Sequence, residues 1–536
     1  MGSLPVNTDS PQARLPLSAF LGAVVFKFWL IWESEISDSI EDPHEYILQV
    51  LYPINGGLAY GPGTGMVGRL FFDLHIPFRL GIEALFLVAC VLMLRVIFAW
   101  PWKSWLSLGL FVFLAFDPVT VELFSHFYSD PVWLVETILG FSCIVLALQN
   151  EARPNWILLN VGALFLGLSA LTRSLLIPLI AALVIFALFA FLLFFLKNRP
   201  GKRGRMISAL VLSMASIFLL LGMIYEGTCA YNLRAHGYNG ISAIDSAEFK
   251  KFFFCLQSVG EPDGKQNFPV DEHRRELIAR AGPTSKWFME EMDASGFYKK
   301  ISMEHYGTPD IAAAWLHFAI FSEAYRGSGG DLRNCFALFS TIENEIADAN
   351  RRGTLKVRPI IPLPDSRLGI IVPVYPAALR TTLQGISYEP TSADLTLNTE
   401  LRYTDRDFTV ALNRRAVHDS PARDLIWILL CGIYRTIYTP LLVYASLAFG
   451  FFPLTVFVVK WRRIESFSLH CLAQQIFGLF FIILPFWYAL FTVSGWPALP
   501  RYMIFNHILL PVLLVYYFLT TLRLLRVDRL ERREDV

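Results

Sequence analysis

The chain has 536 residues, 54% hydrophobic and only 17% charged, with a mean hydropathy of +0.47. A soluble domain carries about a quarter charged residues, so this composition excludes an ordinary soluble enzyme and points to a polytopic membrane protein. The formal net charge of +1 offers nothing to attract a nucleic-acid backbone, and the basic residues gather in short loops. Seven cysteines lie without CxxC or Cys/His spacing, which argues against a structural zinc site. Cys229, Cys255 and Cys335 fall in one long polar region, where a single disulfide is feasible but not implied.

A membrane span needs about twenty mostly apolar residues. Segments of that kind occupy 16–33, 78–98, 104–121, 131–149, 156–172, 174–196, 206–226, 437–459, 466–491 and 503–525, and 424–436 reads either as an interfacial helix or as part of the eighth span. The first segment lacks a small-residue cleavage motif, so it is expected to remain as a span. Lys103, the run Lys197–Arg205, Lys460–Arg463 and the Arg-rich tail 523–533 fall on one side if these spans alternate. The positive-inside rule makes that side cytoplasmic. Residues 227–423 then lie outside, as the only long hydrophilic stretch. Helical patterns near 285–304, 309–325 and 331–352 and strand-like runs at 355–362 and 368–375 predict a small mixed α/β domain there. Ile311–Phe321 is apolar but too short to cross a bilayer, so it is core or a surface-lying helix. The predicted fold class is mostly α: a polytopic helical bundle of about ten spans, with modules at 1–226 and 424–536 flanking the insert. No Asn-x-Ser/Thr sequon is present, which leans towards a bacterial plasma membrane.

Chemistry-bearing segments cluster at the predicted outer ends of the spans. Glu33, Glu35, Asp38, Glu41, Asp42 and Glu45 crowd the stretch that follows the first span, ending in Asp42-Pro43-His44-Glu45-Tyr46. This is either a solvated loop or a carboxylate site at the mouth of a membrane cavity. Asn55–Gly65 is glycine-rich and leads into an amphipathic Met66–Leu74. It lacks the Lys-Ser/Thr of a phosphate-binding P-loop, so a turn-rich connector explains it equally well. Ser129, Asp130 and Pro131 open the fourth span with ordinary helix-start chemistry. Arg173 ends the fifth span on the outer side, against the usual charge bias, where snorkelling is the plain explanation. Trp496–Tyr502, with Arg501, precedes the last span. Lys27 and Glu83 lie inside apolar segments, where ionisable groups are costly and face the bundle or water. The two could pair or bind substrate, and snorkelling is the plain explanation for Glu83, close to its span's outer end.

In this order, the segments resemble the GT-C superfamily of membrane glycosyltransferases. They are most similar to the dolichyl-phosphate-mannose mannosyltransferase-like branch, which includes the lipid A aminoarabinose and galacturonic acid transferases. The likeness covers residues 16–226 and the last span and does not extend to the insert at 227–423. The branch's Asp-(Asp/Glu)-x-x-Tyr pattern falls on Asp42 and Tyr46, with Pro43 at the second acidic position, so that Glu41 or Glu45 would supply that carboxylate. Tyr60 and Pro62 correspond to the segment before a short membrane-lying helix, and Asp130 to the carboxylate of the second external loop.

The resemblance implies an inverting transferase that uses a polyprenyl-phosphate sugar donor and an extracytoplasmic acceptor among membrane lipids. Asp42 would be the base, supported by Asp130 and Glu45. Arg173, Arg501 and, more weakly, Arg234 would hold the donor phosphate, while Tyr46, Tyr60 and His44 would line the substrate site. Monophosphate donors in this family go without metal, so no cofactor is expected, although Asp38, Asp42 and Asp130 suit Mg²⁺ or Mn²⁺. Two other readings stay open, a lipid or polysaccharide transporter and an inactive relative that only binds.

Overall fold

The computed structural model describes residues 11–31, 60–124, 127–149, 154–173, 175–197, 200–260, 270–294, 296–306, 309–311, 313–357, 375–382, 421–434, 474–493 and 503–516, with a few isolated positions such as Tyr46 and 49–51. The described residues are helical, in two units. The first contains α1 (Pro11–Ile31), α2 (Gly63–Asp73), α3 (Phe78–Ile97), α4 (Trp105–Ala115), α5 (Pro118–Leu123), α6 (Ser129–Ala147), α7 (Trp156–Thr172), α8 (Leu176–Lys197) and α9 (Pro200–His236). The second is the insert, with α10 (Ala247–Ser258), α11 (Glu272–Ala279), α12 (Pro283–Ala294), α13 (Gly296–Tyr306), α14 (Ala313–Gly327) and α15 (Leu332–Arg351). The chain then returns to the first unit through α16 (Pro421–Ile433), α17 (Gln475–Val493) and α18 (Ile504–Tyr516).

Helix α6 is the axis of the bundle and is buried along nearly its whole length. Trp133 and Phe141 on it meet Phe480 and Phe477 of α17 and Phe505 of α18, with ring centroids 5.2–6.3 Å apart. The last helices therefore pack on the first module and share one core with it. Around this axis the peripheral helices expose apolar side chains. Leu21 and Val25 on α1, Leu188 on α8, Leu219 on α9 and Ile428 on α16 are each more than half exposed. Such contiguous apolar faces are unfavourable in water and neutral against lipid.

Among the described residues, Phe78–Ile97, Ser129–Ala147 and Ile207–His236 are long and apolar enough to cross a membrane, and the other bundle helices are shorter apolar segments. At 1.5 Å per residue α9 is about 55 Å long, against a hydrocarbon core of about 30 Å. It is therefore longer than a bilayer core is thick, and its last turns lead into the insert.

Two sequence expectations change. The segment 104–121 is not one span but α4 and α5, broken at Asp117-Pro118. The Asp117 carboxylate caps α5 by accepting from Val119 N (3.1 Å) and Thr120 Oγ1 (2.7 Å), and Pro118 takes the first position, where its missing N–H costs nothing. The insert is helical where it is described. Of the run expected as a strand at 355–362, Val357 makes an isolated bridge with Val259, and 358–374 lies outside the described residues. The span expected at 437–459 also lies outside them. Ile311–Phe321 proves to be core, since Ile311, Leu316, Ile320 and Phe321 are buried in the insert's own apolar cluster.

The insert's helices start where the sequence supplies caps, with Ser246, Asp271 and Asp331 accepting from the first turns of α10, α11 and α15. Helix α12 is capped from a distance. Glu345 on α15 accepts from Thr284 N (3.0 Å), Ser285 N (2.7 Å) and Ser285 Oγ (2.6 Å). Burial raises the Glu345 pKa, but these hydrogen bonds outweigh it and hold the carboxyl below its ordinary range. Buried Arg275 ties the α11 end to Asp293 and Asp310, each at 2.8 Å.

Candidate active site

At the insert-bearing end of the bundle, α6 begins and α7 ends side by side. Their antiparallel pairing is fixed lower down by a hydrogen bond between Thr137 and Ser169 (2.7 Å) and near the top by Thr172 Oγ1 donating to Glu136 Oε2 (2.7 Å). That register brings Asp130 in the first turn of α6 against Arg173, which leaves α7 in an extended conformation. Arg173 Nη2 lies 2.8 Å from Asp130 Oδ1, Nη1 donates to the Tyr488 hydroxyl on α17 (2.9 Å), and Nε donates to Ser129 Oγ (3.4 Å). The Asp130 side chain is 2% exposed and that of Arg173 15%, so the cation is the member of the pair that an anionic ligand can reach.

The glycine-rich segment has a geometric explanation. It runs so close to the end of α7 that side chains do not fit. A Cβ on Gly61 would lie 2.0 Å from the Leu171 carbonyl oxygen, on Gly63 2.1 Å from Thr172 Oγ1, and on Gly65 2.3 Å from Gln49 Cβ. Gln49 Nε2 donates to the Tyr60 carbonyl (3.1 Å). Helix α2 follows, with Phe71 buried and Met66, Leu70 and Leu74 exposed at fourfold spacing along one stripe. This is the amphipathic pattern expected of a helix lying on a membrane surface.

Tyr46 and Tyr60 stack with centroids 5.1 Å apart, and Tyr46 meets Phe127 edge-on at 6.0 Å. Both tyrosines expected in the substrate site thus come together, but Tyr46 is 3% exposed and belongs to the packing. Arg234 does not join the Asp130–Arg173 pair. It is exposed in the last turn of α9, beyond the level at which Cys229 meets Leu171, and its carbonyl accepts from Arg333 Nη2 (2.8 Å). Asp42, His44, Glu45 and Arg501 lie outside the described residues, as does Asp38.

No family model and no curated protein matches this chain. Among solved structures it is similar to the crystal structure of ArnT from Cupriavidus metallidurans in the apo state, at 12% identity over 91% of this chain and 77% of that one, with a TM-score of 0.31. So weak a likeness carries no argument about this chain.

A second polar group lies between the helices. Lys27 Nζ on α1 is 3.2 Å from Glu83 Oε2, and Arg79 Nη2 is 3.0 Å from Glu83 Oε1 while donating to the Val121 carbonyl (2.8 Å). Asp117 Oδ2 approaches His507 Nε2 at 3.3 Å, and that nitrogen is 2.7 Å from the Tyr434 hydroxyl. All these side chains are buried. Of the alternatives the sequence left open, Lys27 and Glu83 pair, and the snorkelling expected for Glu83 gives way because its side chain is fully buried between two cations. Arg79, Asp117 and His507 were missed, although Arg79 stands four residues before Glu83 and an Asp-Pro inside an apolar run is a recognisable helix break. Tyr488 was also missed, and no sequence signal joins it to Ser129 and Arg173, because only the α6–α7–α17 packing does.

Proposed function

We propose that this protein is an integral-membrane glycosyltransferase of the GT-C kind, moving a sugar from a polyprenyl-phosphate donor to an extracytoplasmic acceptor. The supporting observation is the Asp130–Arg173 pair. A buried carboxylate orients a partly exposed guanidinium at the mouth of an apolar bundle, beside the segment that emerges from the acidic loop. A guanidinium so placed suits a lipid phosphate, which it grips through paired hydrogen bonds. The order of the sequence motifs supports the same reading.

The chemistry asks three things of the chain. Arg173, with Arg501, neutralises charge on the departing polyprenyl phosphate. Asp42, aided by Glu45, takes the proton of the acceptor nucleophile as it attacks the anomeric carbon. Asp130 holds Arg173 in place, so that nucleophile, sugar and leaving phosphate stay aligned. The displacement inverts the anomeric centre: the bond from the acceptor oxygen forms as the bond to the phosphate oxygen breaks, and the proton ends on Asp42. Should a divalent ion take part, Asp38, Asp42 and Asp130 would hold it.

The buried Lys27–Glu83–Arg79 and Asp117–His507 groups, together with the helix break at Asp117-Pro118, favour a second reading. Intramembrane ion pairs and broken helices also mark transport pathways. Reconstitution with labelled polyprenyl-phosphate sugars separates the two. Covalent transfer to an acceptor supports the transferase, and translocation without covalent change supports the transporter. Asp42→Asn should abolish transfer, a loss of about 10²–10⁴-fold or more for a lost base, while the protein remains folded in membranes. Near-normal turnover in that variant would remove Asp42 from the mechanism.

A further inference from the structure

The apolar core of the bundle and that of the insert are separate clusters, yet Tyr60 packs against both. Its ring lies between Tyr46 of the bundle, at 5.1 Å, and Phe318 on α14 of the insert, at 5.3 Å. Phe318 is backed in turn by His317, with ring centroids 4.1 Å apart. Immediately after Tyr60, Gly61 is wedged between the Leu171 carbonyl of α7 and Ile241 at the root of the insert. The Tyr60–Gly61 step is therefore fixed by the bundle on one side and the insert on the other. Two residues later the chain touches Thr172, the neighbour of Arg173. In the other direction Tyr46 closes the acidic loop.

We infer that Phe318 is a positioning residue: by packing on Tyr60 it lets the insert hold the segment Tyr60–Gly65 in register with the Asp130–Arg173 pair. An aromatic pair of this kind adds a directional attraction to its burial, enough to bias the geometry of a segment without deciding whether the protein folds. The insert thereby controls turnover from a helix that need not touch substrate. With Tyr46 on one side and Phe318 on the other, Tyr60 acts as a strut and not as a sugar-stacking platform. The kinetic consequence rests on the transferase reading; the structural coupling does not.

The full-length protein in nanodiscs tests both parts. Backbone hydrogen exchange over residues 60–73 should speed up in Phe318→Ala and return to the wild-type rate in Phe318→Tyr. With a labelled polyprenyl-phosphate sugar as donor, Phe318→Ala should lower kcat by about 10–100-fold, the scale of a small misalignment, with binding of unlabelled polyprenyl phosphate unchanged. Tyr60→Ala, which also removes the stack on Tyr46, should give at least that loss, and adding Phe318→Ala to it no further loss, since the Tyr60–Phe318 contact is already gone. Unaltered exchange in Phe318→Ala overturns the inference, as does wild-type kcat or a strictly additive double variant. If the wild-type protein transfers no sugar, the transferase reading fails, and the exchange result alone decides the coupling.

Discussion

Arg173 engages all three of its nitrogens, forming an ion pair with Asp130 and donating to Tyr488 and Ser129. The three partners come from two different helices, so this one side chain joins the start of α6 to α17 as well as facing the mouth of the bundle. A lysine has a point charge on a flexible stem and cannot reproduce that planar fork. Arg173→Lys is therefore expected to weaken polyprenyl-phosphate binding by about tenfold or more, the equivalent of one lost charged hydrogen bond of 1.5–3 kcal/mol. Binding of labelled polyprenyl phosphate to the purified protein measures this, and wild-type affinity would return Arg173 to the snorkelling role that its position in the sequence also allows.

At the scale of elements, buried charges decide where helices break and meet. Glu83 serves two cations, Lys27 and Arg79, whereas each cation is paired in this group with Glu83 alone. Removing one partner of a buried pair costs about 3–5 kcal/mol because the other charge is stranded. Glu83→Ala strands two cations, and Lys27→Met leaves the Arg79–Glu83 pair intact. The expected order of thermal stability in detergent is wild type, then Lys27→Met, then Glu83→Ala, and the reverse order of the two variants would contradict the network.

In the insert, the Glu345 carboxylate caps α12 and has a lowered pKa. A group with a lowered folded-state pKa stabilises fully above its ordinary value and loses that contribution as pH falls towards the folded value. Glu345→Gln should therefore cost about 1–3 kcal/mol at neutral pH. The gap in melting temperature to wild type should narrow as pH drops below about 4.5, the ordinary glutamate value. A gap that stays constant down to pH 3 would show that the charge of Glu345 contributes nothing.

Across the whole molecule, two cores meet at Tyr60, and the C-terminal helices close over a central helix from the N-terminal half. Apolar runs of about twenty residues determined most of the bundle from sequence alone. In lipid each such run must satisfy its own backbone as a helix, whatever its neighbours. The insert's later helices were legible for a related reason, since their apolar residues recur at helical spacing. Asp130 and Arg173 could be singled out because charge at a span boundary is conspicuous.

Local pattern could not reach the partners. Tyr488 lies 315 residues from Arg173, and Phe318 stands far along the chain from Tyr60. The break between α4 and α5 depends on Asp117 capping α5 by accepting from Val119 N and meeting His507 from the far end of the chain. The glycines at 61, 63 and 65 read equally well as a flexible connector until the end of α7 is seen pressed against the first two and the Gln49 side chain against the third. Helix formation here is a local consequence of composition in an apolar solvent. Which charges neutralise one another, and which rings carry force between the two cores, is fixed only when segments distant in sequence are packed together.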